Sequence, residues 1–281
     1  MTISDTGREL QPGARQPMTN GRRLGLAVAL MAAWPTVAYG FGALPLPVLQ
    51  PQWFPHLGVL VTNALAGTVV LAGAWSLGLI GPQAGNDRGL GRAGIRAGSG
   101  PRSHLWLLPL LAIALSYAFI GKGSTPGITG TLGYLASAAV GLLAVGVSEE
   151  LASRGIPLGL AAPSGKWRSV LTVALIFGLW HVGNFLFFGQ SLDETAWQVL
   201  VSAVYGFVLG AGRLVVGSIW PLAFLHGLND WMQLNSPGAA PFWYQVTVMV
   251  FEVIWGTVML TVAVRSPVIT GESSRRAETQ A

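Results

Sequence analysis

The sequence predicts an all-helical, polytopic membrane bundle of about eight spans, with both termini in the cytoplasm. Three observations predict it. Charged residues make up only 10% of the 281 residues and hydrophobic residues 52%, against about 25% charged in ordinary soluble domains. Apolar stretches of span length recur along the chain. Lys and Arg fall almost wholly into alternate connecting segments. A soluble fold of this length needs far more charge to cover its surface, so a soluble enzyme, a disordered chain and a disulfide scaffold are all excluded. With no Cys, thiolate metal ligands, a Cys nucleophile, disulfides and lipidation of the chain's own thiols are excluded as well.

Residues 1–23 are polar, end in Arg22-Arg23 and read as a flexible cytoplasmic tail without the pattern of a signal peptide. Apolar runs follow at roughly 24–44, 57–80, 105–120, 131–160, 168–188, 193–211, 216–235 and 243–264. A span takes about 20 residues, range about 17–25, so most of these runs fit. The third is short, and seven spans are the alternative count. Three spans fall in an N-terminal section, 24–130, which also holds a Gly- and Arg-rich cytoplasmic loop at 81–104 that reads as mobile. A core over 131–235, a last span over 236–264 and a cytoplasmic tail over 265–281 complete the division.

The basic residues then orient the bundle. With eight spans and a cytoplasmic N-terminus, the inside segments hold Arg8, Arg15, Arg22, Arg23, Arg88, Arg92, Arg96, Arg102, Arg154, Lys166, Arg168, Arg213, Arg265, Arg275 and Arg276. Lys122 alone falls outside. The net charge of +5 is thereby explained by anionic headgroups, and nucleic acid is not an expected partner.

Ionisable groups at bilayer depth cost about 2.5–3.5 kcal/mol each on an insertion scale and mark functional sites. Here they are Glu149, Glu150, Arg154, His181, His226, Asp230 and Glu252. At 1.5 Å per residue from the cytoplasmic span ends, His181 lies about 20 Å deep, His226 about 15 Å, Glu149 about 17 Å and Glu252 about 18 Å. The four share one level near mid-membrane, provided the fourth span stays helical past Arg154 with Pro157 as a kink. Residues four apart share a helix face. Glu150 and Arg154 therefore form an ion pair that leaves Glu149 free. Phe177 and His181 share a face that Asn184 continues, and His226 shares one with Asp230. Two imidazoles and several carboxylates suit water activation, either around a zinc-type ion or with a Glu base and His partners.

These residues resemble a known family. Glu149-Glu150-Leu151-Ala152-Ser153-Arg154-Gly155 is similar to the motif EExxxRG, Phe177-Gly178-Leu179-Trp180-His181 to FxxxH, and His226-Gly227-Leu228-Asn229-Asp230 to Hxxx(N/D). In that order they are the motifs of the CPBP family, the CaaX protease and bacteriocin-processing (Abi) intramembrane proteases. The stretch from Gly206 to Pro221 resembles that family's glycine-rich approach to the last motif. The resemblance covers about 145–235. It implies a helical membrane core with a cavity open to the cytoplasm. It further implies that Glu149 activates water with His181, that His226 and Asp230 complete the site, and that Glu150 and Arg154 support it. The prenyl proteases of the family carry Asn where this chain has Asp230. An ionised Asp only accepts hydrogen bonds, so Asp230 fits a metal ligand or a group orienting His226 better than an oxyanion donor. Asn229 sits about 100° off that face and is not an obvious substitute.

Two mechanisms follow. In one, His181, His226 and Glu149 hold Zn²⁺. In the other, Glu149 is the base without a metal, assisted by His181, and His226 stabilises the oxyanion. The expected activity is hydrolysis of a membrane-embedded or prenylated, otherwise lipidated, protein substrate at the plasma membrane. The bias of 14 Arg against 2 Lys suggests a bacterial source. A non-catalytic adaptor or bacteriocin-immunity protein, and a proton-coupled transporter, are the competing classes.

Overall fold

The computed structural model describes residues 18–81, 93–95, 100–120, 127–238 and 240–265. Residues 1–17 of the N-terminal tail, 82–92 and 96–99 of the basic loop, Lys122 and the tail from 266 lie outside the described residues. Every regular element described is helical. The principal helices are α1 Asn20–Gly42, α2 Leu57–Ser76, α3 Leu108–Ile120, α4 Leu132–Glu150, α5 Ile156–Ala161, α6 Lys166–Trp180, α7 Val182–Phe188, α8 Leu192–Val216, α9 Trp220–Asn235 and α10 Phe242–Arg265.

Local sequence sets several boundaries. Thr131 caps α4 by accepting from the Tyr134 N–H. Ser191 and Glu194 form a reciprocal capping box that starts α8. Gly217, at φ 75°, ends α8 in the left-handed conformation that glycine adopts without a Cβ clash. Pro221 sits in the first turn of α9, where a missing N–H costs nothing.

Side-chain contacts fix the directions. α1 and α2 are antiparallel, Gly42 meeting Thr62 and Gly73 meeting Leu30. α2 and α4 are parallel, with Gly141 at His56 and Gly67 at Ser148. α6 and α8 are antiparallel, with Gly178 at Val199 and Gly210 at Val170. α8 and α10 are parallel: Trp197 donates to Gln245 at 2.7 Å near their starts, and Gly256 meets Phe207 and Val208 further along. Two parallel neighbours need a return path, and α9 supplies it, antiparallel to α4.

Seven helices, among the described residues, are long and apolar enough to cross a membrane. The run expected to form the eighth span is the 16-residue α9, about 24 Å long against a hydrocarbon core of about 30 Å. Three of the seven join more than one helical segment, over Pro101–Ile120, Leu132–Ser164 and Lys166–Phe188, and with α9 the chain traverses the bundle eight times.

All described Arg and Lys side chains outside the core, namely Arg22, Arg23, Arg102, Lys166 and Arg168, gather at the end where α1 and α6 start. The loop expected to be mobile is docked where it is described. Ala93 is buried, Gly94 accepts from the Ile219 N–H, and Ile95 accepts from Trp220 Nε1. At the opposite end His56, just before α2, shares a hydrogen bond of 2.9 Å with Ser137 of α4. Partial burial pulls its pKa below the ordinary value.

α4 and α9 cross beside the polar residues. A Cβ on Gly146 would stand 2.3 Å from the Ala223 carbonyl oxygen, and one on Gly227 2.8 Å from the Leu142 carbonyl oxygen. Small residues allow such approach where lipid gives helices no hydrophobic drive to associate. Gly146→Ala should lower stability in micelles by about 1–3 kcal/mol through overpacking. Gly133→Ala, on the same helix with open space at its Cβ, should leave it unchanged or raise it by up to about 1 kcal/mol. Unfolding midpoints of the two variants check this.

Candidate functional site

Just before Pro157 the fourth span leaves α-helical geometry. It forms a π turn over Leu151–Gly155 and resumes as α5. The cause is the proline, which removes a backbone donor and crowds the carbonyl four residues back. The widened turn absorbs both effects, and the wall of the site is built around it.

Glu150 and Arg154, both without exposure, pair at 2.6 Å across that turn. The same Glu150 oxygen lies 3.0 Å from Nδ1 of His226 on α9. A carboxylate paired to arginine accepts only, so His226 Nδ1 carries the hydrogen and donates. That fixes the ring and leaves Nε2, which stands 3.7 Å from Glu149 Oε2 and 3.6 Å from Asp230 Oδ2. Glu149 is thus the carboxylate left free by the ion pair, as its helical spacing implies. His181 occupies the break between α6 and α7, not a continuous helix. Its Nδ1 faces the Phe177 carbonyl oxygen at 3.2 Å and donates to it, again leaving Nε2.

Phe177 joins these groups. Its buried ring lies 5.5 Å from the His181 ring and 5.9 Å from the His226 ring, with the Arg154 guanidinium 3.8 Å above its centre. Gly206 on α8 makes room for this stack. A Cβ there would stand 2.9 Å from Arg154 Nη2 and 3.1 Å from Phe177 Cδ1.

The helices outside the core buttress it. Trp34 of α1 donates to Ser148, and Ser148 donates to Asn63 of α2 at 2.7 Å, one residue before Glu149. Trp34 also stacks on Trp180, 4.7 Å between centroids, one residue before His181.

Glu149, Phe177, His181, His226, Asp230 and Glu252 all line one cavity of about 470 Å³. Asn184 does not; it donates to Gln198, which does. Asn184 instead lines a second cavity of about 740 Å³ between α1, α2, α4 and α7, whose walls are mainly apolar and hold no Asp, Glu or His.

Sequence reasoning passed over two residues of the site. Asn229, set aside as off the face, is buried and lines the cavity, because the cavity wraps around α9 further than one helix face. Tyr205 packs its ring 5.5 Å from that of His226, and its buried hydroxyl has no hydrogen-bond partner among the described residues. Tyr205 shares its apolar run at 193–211 with Gln198 and Ser202, so nothing in the run singled it out.

A metal does not fit this arrangement well. No group of three or more His, Asp or Glu side chains, among the described residues, is disposed to hold an ion.

From His226 and Glu149 the cavity runs to Gln198, Gln233, Leu234 and Gln245, near the end where α8 and α10 begin. That is the end opposite the Arg and Lys side chains. The resemblance implies a cavity open to the cytoplasm, while the charge pattern makes the basic end cytoplasmic. The two expectations put the cytoplasm at opposite ends of this bundle.

Residues 131–232, from just before α4 to within one turn of the end of α9, match the family model described as type II CAAX prenyl endopeptidase Rce1-like. No curated protein matches the chain.

Removing one partner of a buried pair strands a charge, at about 3–5 kcal/mol. Arg154→Met should therefore lose that much stability, and Glu150→Gln combined with Arg154→Met should recover most of it. Denaturant titration in micelles reads both.

Proposed function

We propose, from the premise that residues 131–232 are an Rce1-like domain of the CAAX protease family, that the protein is an intramembrane endopeptidase acting on a membrane-associated protein. The observation that carries the reading is the buried His226, held at Nδ1 by Glu150 and turned at Nε2 toward Glu149 and Asp230 inside a cavity.

The reaction runs on the chain's own groups. Glu149, with His181 beside it in the cavity, takes a proton from water as the oxygen attacks the substrate carbonyl. His226 Nε2–H and the Asn229 amide donate to the developing oxyanion, the role an ionised Asp230 cannot fill. Asp230 orients the His226 ring instead. The tetrahedral intermediate then breaks its C–N bond, and the proton held by Glu149 passes to the leaving amine. The apolar cavity of about 740 Å³, one Asn184–Gln198 pair away, suits a prenyl or acyl chain carried by the substrate.

Comparing protein termini in membranes from cells with wild type or Glu149→Gln tests the activity without a guessed substrate. Cleaved termini present only with wild type support the reading, and identical sets overturn it. Asn229→Ala should lower kcat about 10²-fold or more if the amide serves the oxyanion. Activity should survive chelators, and loss on chelation restored by Zn²⁺ would return the metal mechanism.

The cavity opens on the non-cytoplasmic side, because the basic residues of this chain follow the positive-inside pattern. With no native Cys, single cysteines report this directly. An impermeant maleimide on intact cells should label Leu234→Cys, at the cavity mouth, and spare Trp167→Cys, at the basic end. The reverse pattern would make the site cytoplasmic.

A further inference from the structure

Glu252 lies on α10, outside the segment matched to the family. It is 4% exposed and lines the same cavity as Glu149 and His226. A buried carboxylate that serves only to join helices has a partner on a neighbouring helix. No hydrogen bond or ion pair joins Glu252 to another described residue, whereas Glu149, Glu150 and Asp230 all stand against His226. The cavity wall holds three acids, two His and neither Lys nor Arg. The buried Arg154 is committed to Glu150. Tyr117 and Tyr205 line the same cavity as Glu252, and aromatic rings favour a neighbouring cation.

We infer that Glu252 is a specificity residue that takes a basic side chain of the substrate, a lysine ammonium or an arginine guanidinium, close to the bond that is cut. This rests on the endopeptidase reading above. A carboxylate buried in a cavity wall forms a charge-assisted hydrogen bond with such a group. The substrate accordingly carries a positive charge within an otherwise apolar sequence.

The test separates this subsite from hydrolysis. An N-acetylated, C-amidated apolar octapeptide with one lysine is compared with its norleucine twin for binding to the Glu149→Gln protein in micelles. The lysine peptide should bind about tenfold or more tighter, the scale of one hydrogen bond to a charged group. Adding Glu252→Gln should bring the ratio near one, and adding Glu252→Lys should favour a glutamate peptide. Glu252→Gln is nearly isosteric, so it carries the test even if Glu252→Lys does not fold. Equal binding of lysine and norleucine peptides, or a preference untouched by Glu252→Gln, overturns the subsite. A Glu252-dependent lysine preference in a protein whose wild type cleaves nothing keeps the subsite and overturns the endopeptidase reading.

Discussion

One carboxylate constrains the rest of this molecule. Glu150 is sealed in the core and engaged by Arg154 at 2.6 Å and by His226 at 3.0 Å through the same oxygen. An ionised group so buried is tolerated only when its partners are in place. That requirement ties the π turn of the fourth span, which brings Arg154 over Glu150, to the position of α9, which brings His226. Removing any of the three leaves a charge or a donor stranded where water cannot serve it.

The glycines serve that constraint. Gly146 and Gly227 let α4 and α9 approach to backbone contact within four residues of Glu149, Glu150 and His226, and Gly206 leaves the space that Arg154 and Phe177 fill. Larger side chains at these points would separate the helices and lengthen the bonds that hold the imidazole. The first two helices contribute through Trp34 and Asn63, which hold Ser148 beside Glu149. The bundle is therefore one mechanical unit around the site and not a core with passive neighbours.

Electrostatically the bundle is divided. One end holds the described Arg and Lys side chains outside the core, and the cavity runs toward the other with Glu149, Asp230 and Glu252 in its wall. Basic residues at one face anchor a bundle among anionic headgroups. An acidic cavity reaching the other face selects what approaches from there. The orientation proposed for the protein and the basic substrate proposed for Glu252 both follow from this single asymmetry.

Much of this was legible in the sequence, for physical reasons that can be named. Hydropathy and span length marked the helices because lipid demands both of any segment that crosses it. Helical spacing paired Glu150 with Arg154 and freed Glu149, since residues four apart meet without help from the rest of the fold. Depth arithmetic brought Glu149, His181, His226 and Glu252 toward one cavity because a straight helix rises by a fixed step. The tertiary structure decided the rest. Only the α4–α9 contact shows that His226 is held by Glu150 and not first by Glu149. Only the wrap of the cavity around α9 admits Asn229, which a single-face argument discards. The break at His181, the docked residues 93–95 and the short α9 all depend on neighbouring helices. Periodicity within one segment reports which side chains share a face; what that face meets, and at what distance, is set by residues far away in the chain.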